Sequence, residues 1–272
     1  MKKTLIVCAL LACVASFAAQ ADDTPAAASS SNNGGWSGSG EFGFASATGN
    51  TRSQNINAKL NLNQENEQWK NNFFFDGLRA KSQQAVVNSS GATVQQLNET
   101  ANRYDAGASV GYKLDPRSYV VSAVRYEHDD FGANVWDGVV SVGYGYIALK
   151  DETNELSFEI GPGFKEYRPA ATDVLVNGVE VPLQNTSTQS EAIARGLINY
   201  KYKITDNTSF EDTFLTEAGS KNTYAQNDAG VAVSMTKKLA VKVGFQIRHN
   251  TQVLPGIRKN DTLTTTNIVY NL

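Results

Sequence analysis

From Trp36 to the end of the chain, apolar and polar residues alternate with a period of two, segment after segment. Ile56, Ala58, Leu60 and Leu62 are interleaved with Asn55, Asn57, Lys59, Asn61 and Asn63. Tyr104, Ala106, Ala108, Val110 and Tyr112 alternate with Asp105, Gly107, Ser109, Gly111 and Lys113. Leu239, Val241, Val243, Phe245 and Ile247 alternate with Ala240, Lys242, Gly244, Gln246 and Arg248. Successive side chains of a strand point to opposite faces, so each segment predicts a strand with one apolar and one polar face. No segment of similar length carries a helical period. The pattern predicts about twelve strands: 36–48, 53–64, 69–80, 103–114, 118–128, 136–148, 155–168, 190–204, 208–218, 223–235, 239–250 and 261–272. Strands of soluble sheets usually have about five or six residues. A tilted strand needs about nine to eleven to cross a bilayer, and most of these runs are at least that long.

The connections sort by side. Glu65-Asn66-Glu67, Asp115-Pro116-Arg117, Thr205-Asp206-Asn207 and Thr236-Lys237-Lys238 are short and carry turn chemistry. The segments 81–102, 169–189 and 251–260, at the other ends of the strands, are longer and are expected to be loops. Short turns on one side and long loops on the other is the arrangement of an outer-membrane barrel, and an even strand count puts both ends of the barrel on the short-turn side. The last strand places Thr266, Ile268, Tyr270 and Leu272 on one face, the kind of closing strand that barrel-assembly machinery recognises. Trp36, Trp69, Tyr104, Tyr112, Tyr119, Trp136, Tyr146, Tyr200, Tyr202 and Tyr270 gather near strand ends, where aromatic rings suit membrane interfaces. Of these, Trp36, Trp69, Tyr104, Trp136 and Tyr270 are the leading candidates. The rival for the same rings is the core of a β-sandwich.

Composition alone points elsewhere. The 272 residues, with 24 Lys+Arg, 27 Asp+Glu and a formal charge of −3, resemble a soluble acidic domain, and the acidic balance argues against nucleic acid as a partner. The N-terminus changes that picture. Lys2 and Lys3, the apolar run 4–17 and Ala19-Gln20-Ala21 form the charged, apolar and small-residue regions of an export signal over 1–21. Lipoprotein processing at Cys13 is the rival, but it would strand an apolar stub over 14–19. Cys8 and Cys13 are the only cysteines, so the exported chain would carry neither disulfide nor thiolate metal site. A Ser-, Ala- and Asn-rich stretch over 22–35 reads as a flexible periplasmic tail, leaving 36–272 for the barrel. The expected location is the outer membrane of a Gram-negative bacterium with both termini periplasmic. Its partners there would be membrane lipid, lipopolysaccharide and, through the C-terminal strand, the assembly machinery.

If the apolar faces meet lipid, the polar faces line a lumen. Lys59, Lys113, Lys165, Arg195, Lys201, Lys203, Lys242 and Arg248 are the candidate lumen cations. Asp105, Asp137, Glu155, Glu159, Glu191, Glu211, Glu217 and Asp261 are the candidate anions. Eight face eight, whereas a pore that concentrates one kind of ion needs a one-signed track. Two readings stay open, a narrow passive channel for small solutes and a non-conducting structural barrel with a salt-bridged lumen. A periplasmic carbohydrate-binding sandwich is a third.

Catalysis is not expected. Glu127-His128-Asp129-Asp130 is the one eye-catching cluster, but neighbouring strand residues alternate faces, so His128 cannot share a side with Glu127 and Asp129. His249 has no nearby serine. No catalytic residue, cofactor site or metal site is expected, and two histidines give no metal-ligand spacing. Glycine at alternate inward positions is expected to make room for a bulky neighbour.

Several short motifs occur in order along the chain: Gly40 to Thr51 (GEFGFASATGNT), Tyr126 to Phe131 (YEHDDF), Gly143 to Tyr146 (GYGY), Gly161-Pro162-Gly163 and Asp261 to Tyr270 (DTLTTTNIVY). In this set the chain resembles the YdiY-like salt-induced outer-membrane proteins, a domain of unknown function. The resemblance runs from Trp36 to Leu272, with Leu272 standing where that family ends on an aromatic residue. It implies an outer-membrane barrel responsive to salt or osmotic stress and supplies no substrate or catalytic residue.

Overall fold

The computed structural model describes residues 35–49, 52–171, 173–176, 179–182, 187–253 and 258–272. The expected export signal at 1–21 and the tail at 22–35, except Gly35, lie outside the described residues. Seven strands come first: β1 Trp36–Ala47, β2 Ser53–Glu65, β3 Trp69–Val87, β4 Thr93–Lys113, β5 Ser118–Asp129, β6 Asn134–Lys150 and β7 Asn154–Pro169. A short pair follows, β8 Asp173–Val176 and β9 Val179–Pro182. The chain then returns through β10 Gln189–Lys203, β11 Thr208–Gly219, β12 Thr223–Ser234, β13 Leu239–Asn250 and β14 Asn260–Asn271.

Twelve of these strands form one closed antiparallel barrel in the order β1-β14-β13-β12-β11-β10-β7-β6-β5-β4-β3-β2, and β8 pairs only with β9. A single closed sheet is not a sandwich, and the two-sheet carbohydrate-binding reading falls with it. Each barrel strand bonds to the next barrel strand along the chain, β7 pairing with β10. The exception is the closing seam, where β1 meets β14 through four positions, Ser39 with Asn271 to Phe42 with Ile268. By contrast β1 and β2 pair along their whole length, from Trp36 with Gln64 to Ala47 with Ser53.

The distribution of residues is inside out. Arg125, Glu127, Asp137, Glu159, Lys165, Glu191, Glu217 and Arg248 are buried, whereas Phe42, Phe44, Val140, Val142, Ile160 and Ile268 are exposed. In water this arrangement would be costly, because the outer wall offers a continuous apolar surface. It is the arrangement a closed barrel adopts with lipid outside, where closure also satisfies every interior strand's backbone.

At one end the turns are tight. Asp115 accepts from the backbone N–H groups of Arg117 and Ser118, each at 2.8 Å, and Asp151 from those of Thr153 and Asn154 at 2.8 and 2.7 Å. These N–H groups hold both carboxyls below the usual carboxylate range, the Arg117 N–H acting most strongly on Asp115 and the Thr153 N–H on Asp151. At the other end the expected loop over 81–102 is absent. β3 runs on to Val87 and β4 starts at Thr93, their ladder continuing through a register shift between Ala80 and Lys81. The connection closes in a turn around Asn88, whose side-chain oxygen accepts from the N–H groups of Ser90 and Ala92. The segment after Pro169 carries the β8–β9 hairpin.

Candidate functional site

The lumen is the one place where this wall concentrates chemistry, and its side chains pair across it. Arg248 on β13 bonds Glu127 on β5 and lies 3.4 Å from Asp129. These two strands stand six places apart in the ring of twelve, on opposite walls. Arg125 on β5 forms a forked pair with Glu217 on β11, Nε to Oε1 at 2.9 Å and Nη2 to Oε2 at 2.6 Å. Its Nη1 donates to Glu127 at 2.7 Å and lies 3.6 Å from Asp105. Arg103 donates to Gln246, another bond between distant strands. Two-point guanidinium–carboxylate pairs fix geometry as well as charge.

Both arginines lie against Tyr224. Its ring centre is 5.1 Å from the Arg125 guanidinium carbon and 5.3 Å from that of Arg248, with the Lys165 ammonium at 6.0 Å. Its hydroxyl accepts from Arg248 Nε at 2.9 Å and donates to Gln226. Cations stack on the negative face of an aromatic ring, most strongly when water is excluded, and this ring is buried. The cavity bounded by Asp76, Arg103, Asp105, Glu127, Gln226, Gln246 and Arg248 has a volume of about 10 Å³, at the lower limit for a single water.

The remaining candidates form smaller pairs. Lys59 lies 2.9 Å from Asp76 and 3.2 Å from Asp228 across the lumen. Lys165 meets Asp137 at 3.0 Å, and Arg195 meets Glu159 at 3.2 Å. Lys242 bridges Glu41 and Glu211 at 2.7 and 3.1 Å. Lys113 donates to Glu65 at 2.6 Å and to the Asn66 carbonyl at 2.8 Å, and Lys150 reaches the same Glu65 at 2.7 Å. Glu155 is 3.7 Å from Lys70. Glu191 accepts the Lys221 backbone N–H at 2.9 Å. Lys201 stands in register between Glu155 and Glu211 and is exposed. Lys203 and Asp261 stand at the two rims. Lys203 pairs at 3.0 Å with Asp206 in its own turn, and Asp261 is exposed at the second position of β14.

Among the aromatics one correction arises, at Tyr119. Trp36, Trp69, Tyr104 and Tyr270 are exposed and Trp136 is half-buried. Trp69 meets Tyr112 edge-on at 5.3 Å, and Tyr126 stacks on Trp136 at 6.4 Å. Tyr119 leaves the interface set because it is 1% exposed, with its hydroxyl donating to Glu159 at 3.0 Å. Its ring lies where a side chain at Gly145 would be, an added Cβ coming within 2.2 Å of it. His128 stacks on Tyr104 at 5.1 Å with its Nε2 3.0 Å from Asp130, and His249 Nδ1 is 2.5 Å from Asn260. Neither histidine faces a serine in these contacts.

The sequence reading missed Arg125, Tyr224, Lys70, Asp76 and Asp228, and saw Glu127 only as part of a rim cluster. The strand β5 hid the first of these. Its inward set opens with Tyr119, Val121 and Ala123, all buried, so both faces look apolar. The continuation Arg125, Glu127, Asp129 at alternate positions was the signal that marked the inward face.

A search of curated proteins finds no match. Among solved structures, the chain is similar to the NanC porin at 13% identity, covering 88% of this chain and 100% of that one with a TM-score of 0.40. It is similar to the translocator domain of the autotransporter NalP from Neisseria meningitidis at 9% identity, covering 87% and 86%, with a TM-score of 0.44. It is also similar to the COG4313 outer membrane channel from Pseudomonas putida F1 at 10% identity, covering 88% and 96%, with a TM-score of 0.44. Likenesses this distant say nothing of what the lumen does. Residues 40–272, nearly the whole described barrel, match one family model, and the chain belongs to that family, described as protein of unknown function, DUF481.

Proposed function

We propose that the protein is an integral outer-membrane barrel whose lumen is closed at rest by ion pairs across it. The observation that carries this reading is the pair of bonds from Arg125 to Glu217 and from Arg248 to Glu127, which join distant walls through buried side chains. The exposed apolar belt, the strand lengths and the aromatic residues at both ends support the membrane setting. In this reading the long-loop end faces outward, toward lipopolysaccharide. The C-terminal strand β14 is the element that assembly machinery engages, in keeping with its short seam to β1.

A second reading, a narrow passive channel for small solutes, has its own support. At the short-turn half, the inward positions Asn61 and Lys201 are exposed, so solvent reaches into the lumen there. Planar-bilayer recording of the refolded protein separates the two. The closed barrel predicts a wild-type trace without resolved conductance steps, and large steady steps at low voltage would leave only the channel. No catalytic role is proposed.

The stress role implied by the resemblance to salt-induced proteins is a separate proposal. It predicts that the amount of this protein in the outer-membrane fraction rises when its host grows in increasing sodium chloride. An unchanged amount would remove it.

A further inference from the structure

The two halves of the lumen differ in closure. Near the long-loop end, Glu217 is 1% exposed and Lys165 and Tyr224 are each 3% exposed. Near the short-turn end, the side chains of Glu211 and Lys150 are 41% and 43% exposed, although both are ion-paired. Charge pairing therefore runs the length of the barrel, but at the short-turn end exclusion of solvent is one-sided: Tyr119, Ile147 and Ser157 on β5–β7 are 1–2% exposed, whereas Asn61 on β2 and Lys201 on β10 are open. The closed layer is the one in which Arg125 and Arg248 both lie against Tyr224 while reaching to Glu217 and Glu127.

We propose that this layer is a gate and charge filter, with a solvent-accessible vestibule on the short-turn side, and that small inorganic cations are what it passes when it opens. The proposal rests on the closed-barrel reading above. The preference for cations follows from the layer's own charges. Arg125 and Arg248 are met by Asp105, Glu127, Asp129 and Glu217, and with Arg103 and the Lys165–Asp137 pair added, five carboxylates still face four cations. Asp105 Oδ1 is buried with no hydrogen-bond partner, a further sign that carboxylate is in excess here. A ring of surplus carboxylate at a constriction favours cations. Tyr224 is the latch, because it is the uncharged surface that both cations share, and its loss loosens the layer without changing the charge.

The full exported chain, refolded and reconstituted in planar bilayers under a potassium chloride gradient, tests this. Heat-modifiable gel migration verifies that each variant is folded. Tyr224→Ala is expected to raise the open probability about tenfold, the change that corresponds to ~1.4 kcal/mol, with a reversal potential on the cation side. Arg125→Gln with Arg248→Gln keeps the lumen open and strengthens cation preference. Glu127→Gln with Glu217→Gln reverses its sign toward anions. Lys242→Gln, which breaks only the vestibule pairs with Glu41 and Glu211, leaves the trace at wild-type level.

Folded but silent Tyr224 and arginine variants would overturn the gate while leaving the closed barrel intact. Opening by Lys242→Gln to the extent of Tyr224→Ala would place the closure elsewhere. Equal selectivity in the two charge-altered variants would remove the filter. A wild-type protein that conducts freely, or that does not enter the bilayer, overturns the reading on which the gate rests.

Discussion

Replacing Gly161 with valine is expected to destabilise the barrel by about 3 kcal/mol, at the upper end of the usual cost of overpacking. Gly161 lies on the inward face of β7, where β6 and β7 approach so closely that an added Cβ would come within 2.1 Å of the Val142 carbonyl oxygen and 2.4 Å of the Gly143 Cα. Both obstacles are backbone. A flexible side chain could swing away, but these atoms can move only by disturbing the β6–β7 ladder, which pairs Ser141 with Gly163 and Tyr144 with Ile160 on either side. The matched control is Gly40→Ala. Nothing lies within 4 Å of a Cβ at Gly40, so a change within about 0.5 kcal/mol is expected there. Urea-unfolding midpoints of the two refolded variants in detergent measure the difference. Equal midpoints would mean that the close approach of β6 and β7 contributes little to stability.

The second large effect is at Glu217. Its carboxylate receives both forks of Arg125, and its side chain is fully shielded. Glu217→Leu leaves a buried guanidinium without its main partner, for which about 3–5 kcal/mol is the usual loss. Removing the charge at both ends, Arg125→Met with Glu217→Leu, should recover most of that loss, because a buried ion pair is worth little more than well-packed apolar groups of similar size. The measurement is a double-mutant cycle on the same unfolding midpoints. If the double variant were as unstable as the sum of the singles, Arg125 and Glu217 would be acting independently, and the pair would not be what holds β5 to β11. In the double variant Glu127 and Asp105 also lose Arg125, which is why recovery is expected to be incomplete.

The wall was legible in the sequence wherever lipid faces one side and the lumen the other. That condition imposes alternation along the whole strand, and β13, expected over 239–250, occupies Leu239–Asn250. Where the condition lapses, so does the signal. The outer parts of β3 and β4 have no apolar face to declare, and they persist as a hairpin through backbone pairing and side-chain contacts such as Gln83 to Gln95 at 3.4 Å. A polar run of that kind reads as a loop. The lumen was legible as a list of charges and not as an arrangement. Which carboxylate meets which cation depends on the stagger of strands around the closed ring, a property no single strand contains. Arg248 and Glu127 are 121 positions apart, and nothing local to either announces the other. The same limit applies to Tyr224, which is one more inward aromatic until two guanidiniums are placed against its ring.

The four-position seam between β1 and β14 also fixes an order of events. Every other join in the ring links barrel strands that follow one another along the chain, β7 and β10 with the β8–β9 pair between them, and can form as soon as its two strands exist. The seam alone joins the first strand to the last, so it carries the closure entropy of nearly the whole chain for very few bonds. Until the final strand is delivered, all that precedes it is an open sheet with an unpaired edge on each side, which is the state most exposed to pairing with other chains. A chain stopped short of β14 therefore has no closed form to reach.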